Sequence, residues 1–406
     1  MLLKKNISLL IIVIIISSCA SKHPNYKSAS EIDAVVIDAK TSNKKFMPLE
    51  HYNPLFVRVN FIFLLDENGE GNFNGKDKED NESLDRVFTK ANKLIDNLKD
   101  AKDSTCYTGF DFLSSSKIQF QFKKMYIKDT FARNYLNAKG YSERRRNIGL
   151  LTPSKNWYLK DLDHNINDTI QKKGINVYNT MNVPAYEDLV QNHSEKGYNT
   201  TQGVAISQFP SYSNFTRSSQ LHYPNWYTKR LWIEQFYCVK NKTSWKNGQR
   251  AFELAYRGLS HELGHSLGLY HSNEYHRTNK CFKALMSQSG RSPRNYIQPT
   301  EIGKMHKAMM TSNVIQFVTD DSNYGVPKTI YENENWNFKK LRFYQDIIVN
   351  EGQVLILNGT VIFPENASIT LEKNALLVLN NATLKTVKNN NFINIIKKKH
   401  AKIIKY

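Results

Sequence analysis

The chain is short of cysteine, of acidic residues and of long apolar stretches, and each shortage narrows what it can be. Its 406 residues include only four cysteines, Cys19, Cys106, Cys238 and Cys281, too few for a small scaffold stapled by disulfides. With Cys19 set aside as an N-terminal special case, one internal disulfide at most can form. Cys238 with Cys281 is the preferred pair, because those two bracket the histidine motif described below. Beyond one run near the N-terminus, no window reaches the ~20 apolar residues that a membrane-crossing helix needs. Asp and Glu number 37 against 56 Lys and Arg, a formal net charge of +19. That excess raises nucleic acid as a partner. The basic residues are nevertheless scattered among Asn, Ile and Tyr, and no nucleic-acid-binding motif gathers them. The expectation is a solvated basic surface with weak attraction for anionic lipids or acidic substrates, and no nucleic-acid partner.

What is present argues for a folded, exported protein. Hydrophobic residues at 40% and charged residues at 23% are close to the globular norm, and at roughly 150 residues per domain the length allows two or three domains, of which two are expected. Lys4 and Lys5 precede an apolar run from Ile7 to Ile16, the pattern of a secretory signal. The run ends in Ile16-Ser17-Ser18-Cys19, which resembles the bacterial lipobox. That resemblance implies an acylated Cys19 as the new N-terminus and a chain anchored by lipid to a bacterial envelope, at the outer membrane or cell surface. An ordinary signal peptide with an incidental cysteine is the competing reading.

The pattern along the chain divides it into residues 1–18 (signal), 19–45 (a polar tether without regular structure), 46–322 (a catalytic body) and 323–406 (a β-rich region). In the body, LFVRVNFIFLL from Leu55 to Leu65 reads as a buried strand. Leu84, Val87, Phe88, Ala91, Leu94, Ile95 and Leu98 follow at helical spacing. Ile118, Phe120 and Phe122 give a second strand and Ile175 to Tyr178 a short third. Gly203 to Ile206, leading into Pro210, reads as an edge strand. Gln249 to Leu269 keeps one apolar face and predicts a long helix, and Pro299 to Met310 predicts a shorter one with Thr300 as its cap. In the last region Glu351 to Ile362 aligns on Lys373 to Leu384 at a shift of 22 residues. Such a repeat suggests stacked β-rungs, a small β-solenoid, with a β-sandwich as the competing form.

The chemistry is concentrated in His261 to His271, HELGHSLGLYH. On a helix, residues four apart share a face, so His261 and His265 can aim at one metal. Glu262 stands beside the first ligand, within reach of a water on the metal and suited to general-base work. Gly268 can take the left-handed conformation that ends a helix, and His271 then returns as third ligand, leaving a fourth position open. Zn²⁺ is the expected cofactor.

The stretch HELGHSLGLYHS resembles the zinc motif of the matrixins, within the metzincin clan of metallopeptidases. Ala284-Leu285-Met286-Ser287 is similar to the clan's methionine turn, and the resemblance implies that Met286 lies beneath the metal without binding it. It also implies an α+β fold: a twisted mixed sheet with an active-site helix and an edge strand that aligns peptides. The implied activity is hydrolysis of peptide bonds in extracytoplasmic proteins, with Glu262 as general base. Three departures are visible. Fourteen residues separate His271 from Met286, a longer spacer than is usual in matrixins; no tyrosine closely follows Met286, Tyr296 being the substitute; and no cysteine-switch propeptide is present, Cys106 lying in an unrelated context. His276 and Glu301 read as solvated or capping groups. The alternative function is a surface binding or adhesion lipoprotein that works through its β-repeat.

Overall fold

The computed structural model describes residues 26–69, 75–101, 112–128, 173–179, 206–207, 209–217, 219–223, 245–271, 284–287, 295–388 and 393–406. The expected pair Cys238 and Cys281, together with Cys19, Cys106 and His276, lies outside them. The described part is mixed α/β with parallel sheets and few helices. Among the described residues no helix is long and apolar enough to cross a membrane.

The chain enters through a strap, residues 26–46, carrying strand β1 (Val35–Ile37) and a 3-10 turn at Asn43–Phe46. A five-stranded sheet follows, made of β2 (Leu55–Leu65), β3 (Ile118–Lys128), β4 (Ile175–Asn179), β5 (Ile206–Ser207) and β6 (Gln220–Tyr223), in the order β3-β2-β4-β6-β5. All neighbours run parallel except β5, which borders the sheet antiparallel to β6. The near-continuous apolar run of β2 reflects burial on both faces, as parallel strands require: Leu55, Val57, Val59 and Phe61 are buried on one face and Asn60 and Ile62 on the other. Asn60 avoids an unsatisfied amide by donating to Asn176 Oδ1 on β4 at 2.8 Å. Of the edge strand expected at Gly203 to Ile206, only Ile206 lies among the described residues, and it belongs to the marginal strand Ile206–Ser207. Strand β6 was not legible, because its four residues show no sustained alternation.

Helix α1 (Lys78–Asp96) covers β2 and β3, with the Phe88 ring stacked on Phe122 at 4.2 Å. Helix α2 (Trp245–Ser266) packs beside α1, where the Ser260 hydroxyl donates to Ala91 O at 3.2 Å. Helix α3 (Pro299–Thr311) begins two positions earlier than a Thr300 cap would allow. Pro299 is itself the first helical residue, its fixed φ and missing N–H suiting that place, so the cap is Gln298, whose backbone N–H donates to the Glu301 carboxylate at 3.1 Å.

Beyond Ser322 the chain forms β7 (Lys328–Ile330), β8 (Glu334–Trp336), β9 (Lys340–Arg342), β10 (Ile347–Val349), β11 (Val354–Phe363), β12 (Ser368–Leu371), β13 (Leu376–Thr386), β14 (Asn394–Lys397) and β15 (Lys402–Lys405). They build two sheets, β1-β8-β11-β13-β15 with β9 also paired to β11, and β14-β12-β10-β7, in which every pairing is parallel. The segments that the 22-residue shift superposes lie side by side, Val354 opposite Leu376 and Asn358 opposite Asn380. Asn380 donates to Asn358 Oδ1 at 2.6 Å and Asn358 to Asn335 Oδ1 at 2.7 Å, a ladder that joins three successive strands.

Residues 26–46 depart from the expectation of an unstructured tether. Val35 to Ile37 pair with Glu334 to Trp336, and Ala29 and Ile32 pack on Val354, Ile356, Leu376 and Val378. Residue 43 lies so close to α3 that a Cβ on Gly303 would sit 2.2 Å from Asn43 O, and Lys307 Nζ donates to Ala39 O and Thr41 O at 2.7 and 2.6 Å. This order comes from contacts with residues some 300 positions away, which no local period reveals. The two halves are also joined directly. The buried Arg342 guanidinium donates to Ile315 O, Val318 O and Thr319 O at 3.2, 3.1 and 2.7 Å, and Tyr344 Oη donates to Met309 O at 2.7 Å. One apolar core runs from β2 and α1 through α3 into β11 and β13.

Candidate metal centre

The site is built at the end of α2. Ala255, Leu259, Leu263 and Leu267 are buried and fix the roll of the helix, which turns His261 and His265 to the same side. The helix then stops by a Schellman arrangement: Leu269 N–H donates to Gly264 O at 3.0 Å and Gly268 N–H to His265 O at 2.8 Å, with Gly268 at φ +98°. A side chain is disfavoured at that φ, and the glycine expected to release the chain does so. Three residues on, His271 comes back over the helix.

The three imidazoles meet edge to edge. His271 Nε2 lies 3.1 Å from His265 Nε2 and 3.2 Å from His261 Nε2, and all the ligand atoms fall within 4.8 Å of one another. Ligands at about 2.05 Å from a tetrahedral zinc stand roughly 3.3 Å apart, so the separations suit one ion. Each helical ring is oriented from behind: His261 Nδ1–H donates to Leu285 O at 2.9 Å and His265 Nδ1–H to Leu269 O at 2.6 Å. Those bonds hold the proton on Nδ1 and leave Nε2 with its lone pair, the tautomer a ligand needs. His261 and His265 are buried and His271 half-buried. The cluster can therefore hold a metal ion. Glu262, half-buried, follows the first ligand on the same helix.

Met286 is fully buried, with its sulfur against Gly264, the helix residue between the two ligands. Leu285, which supplies the carbonyl behind His261, precedes it in a turn closed by Ser287 N–H to Ala284 O at 3.1 Å. Tyr296 is buried with Ala101 and Ala284, and Leu285 N–H donates to its carbonyl at 2.8 Å. Its backbone thus steadies the turn.

No family model matches the chain, and no curated protein matches it.

Further residues gather at the third ligand without having been legible in the sequence. The Phe209 ring, just beyond β5, lies 5.4 Å from His265 and stacks on Tyr270 at 4.8 Å. Lys304 Nζ sits over the Tyr270 ring, 3.8 Å from its centre. Burial lowers Lys304 to about 8, against the opposing pull of Glu301, and burial raises Glu301 to about 7. Glu301 is a capping group, as the sequence suggested, and stands outside the metal cluster.

Proposed function

We propose that this chain is a zinc-dependent endopeptidase of the metzincin kind, anchored to a bacterial envelope through a lipid on Cys19 and acting on extracytoplasmic proteins. The observation that carries the reading is the convergence of three Nε2 atoms, two of them with their Nδ1–H groups tied to backbone carbonyls. Three converging imidazole nitrogens suit zinc better than calcium or magnesium, which take oxygen ligands. Further support comes from the sheet, in which a single antiparallel strand at the margin offers an edge to an extended peptide. The parallel stack after Ser322 supports a small β-solenoid, which serves as a buttress to the catalytic body.

His261, His265 and His271 would hold a zinc ion, which would supply Lewis acidity at the scissile carbonyl. Glu262 takes a proton from the attacking water and returns it to the leaving amine, so one carboxylate acts as base and then as acid. Leu285 O and Leu269 O keep the imidazoles from turning as charge develops. The Phe209 and Tyr270 rings shield the His265 side from water, and Lys304 adds a positive charge at that margin.

Purified mature protein incubated with an unfolded protein such as reduced casein tests the reading. Cleavage is expected, abolished by chelation, restored by zinc, and reduced at least ~10³-fold in Glu262→Ala, more than a positioned proton carrier alone contributes in milder cases. Cleavage that persists in Glu262→Ala or in the presence of chelator would overturn it.

A further inference from the structure

The last rung of the stack carries a charge pattern found nowhere else in the chain. After Glu372 the sequence contains no acidic residue, yet it contains eight lysines from Lys373 to Lys405. Five of them, Lys397, Lys398, Lys399, Lys402 and Lys405, lie on β14, β15 and the turn between, and all five are exposed. β14 and β15 are each the last strand of their sheet. Among the described residues nothing pairs with their outer edges. Two large apolar side chains stand in the open among the lysines, Ile396 and Tyr406, at 41% and 37% exposure. An open recess of about 460 Å³ beside them is lined mainly by apolar groups such as Leu384, Ile395 and Ile403.

The start of the described chain is at the same place. Tyr406 Oη donates to Tyr26 O at 3.1 Å, and Tyr26 packs with Ile404 against the sheet. From there the strap runs away from the last rung toward β8, so the described chain begins at the lysine-rich end. Cys19 is seven positions earlier, and seven extended residues reach no more than about 25 Å. A lipid on Cys19 therefore keeps this end of the body within about 25 Å of the bilayer. Lysines feel an anionic surface only within about a Debye length, roughly 8 Å at physiological salt, so a short anchor at this end brings them into range.

We propose that the terminal rung, β14 and β15 with their connecting turn, is the face this protein lays on an anionic lipid bilayer, its lysines on the headgroups and Ile396 and Tyr406 at the interface. The proposal takes its geometry from the reading of Cys19 as an acylated anchor, and it fixes which way up the enzyme stands.

The test uses the mature chain with Cys19→Ser, which removes the lipid, and vesicles of phosphatidylglycerol mixed with phosphatidylcholine or of phosphatidylcholine alone. Sedimentation should show binding to the anionic vesicles only, weakening as salt rises. A variant with Lys397, Lys398, Lys399, Lys402 and Lys405 all changed to Gln should bind at least ~100-fold more weakly. A matched variant with Lys76, Lys78, Lys90, Lys93 and Lys99 changed to Gln should bind as the parent does. Equal loss in both variants, or undiminished binding in the first, overturns the proposal. Capture by soluble heparin without binding to the vesicles points to an acidic polymer and overturns it also. The mass of the mature N-terminus of the unsubstituted chain reports on Cys19 separately: an unmodified Cys19 with intact vesicle binding removes the anchor alone, and an acylated Cys19 without vesicle binding removes the proposed face alone.

Discussion

Met286 Sδ occupies the space that a side chain on Gly264 would need: a Cβ built there would lie 2.8 Å from the sulfur. The glycine between the two helical ligands is therefore a seat for the methionine. Gly264→Ala gains helix propensity, about 1 kcal/mol, but overpacks a site that costs about 1–3 kcal/mol to crowd. Net destabilisation is expected in thermal melts. Gly264→Ala combined with Met286→Ala should lose less than the sum of the two single changes, since the second removes the clash created by the first.

Gly268 has room for a Cβ, whose nearest neighbour would be Pro210 Cγ at 3.5 Å, so its requirement is conformational. At φ +98° an alanine is strained by roughly 1–2 kcal/mol. Relaxing that strain moves Leu269 O away from His265 Nδ1. Gly268→Ala should then bind zinc about 10–100-fold more weakly, the usual cost of losing an outer-shell partner. Competition against a chromogenic chelator measures it.

His261→Ala, His265→Ala and His271→Ala should each be purified without stoichiometric zinc, whereas Glu262→Ala should retain it. Elemental analysis separates the two groups of variants. A His271→Ala protein that keeps its metal would remove the third ligand from the site.

His306 is fully buried, accepting from Tyr324 Oη at 2.6 Å through Nδ1 and donating to Ser116 O at 2.8 Å through Nε2. Burial lowers it from 6.5 to about 4. Because the unfolded chain takes up the proton first, its contribution is fully present above pH 6.5 and is lost as pH falls toward about 4. The loss amounts to roughly 3 kcal/mol. Melting temperature measured against pH should fall more steeply below 6.5 in the parent than in His306→Gln.

Ending the chain at Asn323 should abolish folding, since it removes more than a third of a continuous core and leaves Met309 O, Ile315 O, Val318 O and Thr319 O without the side chains that now bond them. Circular dichroism and size-exclusion chromatography of the truncated protein check this. It follows that deletion of the β-rich region cannot separate a peptidase from an adhesin; Glu262→Ala can.

The sequence revealed those parts of the molecule whose signal is local. The histidine spacing and Gly268 lie within one helix and its exit, where periodicity and one special φ suffice. The first strand and α1 were visible because both faces of β2 and one face of α1 are buried over many residues. The carbonyls of Leu285 and Leu269 were not visible, since a backbone atom leaves no mark in composition. Nor was the seating of Met286 on Gly264, which brings together residues 22 positions apart. Strands β1 and β6 are three and four residues long, too short for alternation to register, and they exist because distant partners hold them. The β-rich rungs were recognisable only because one of them repeats another.

The closure of Tyr26 onto Tyr406 and of β1 onto β8 joins residues some 300 to 380 positions apart, so that the start of the described chain is completed by its end. Folding of that kind is slow. The strap cannot settle before β8 and β15 are in place, so its assembly becomes the late step that locks both halves together.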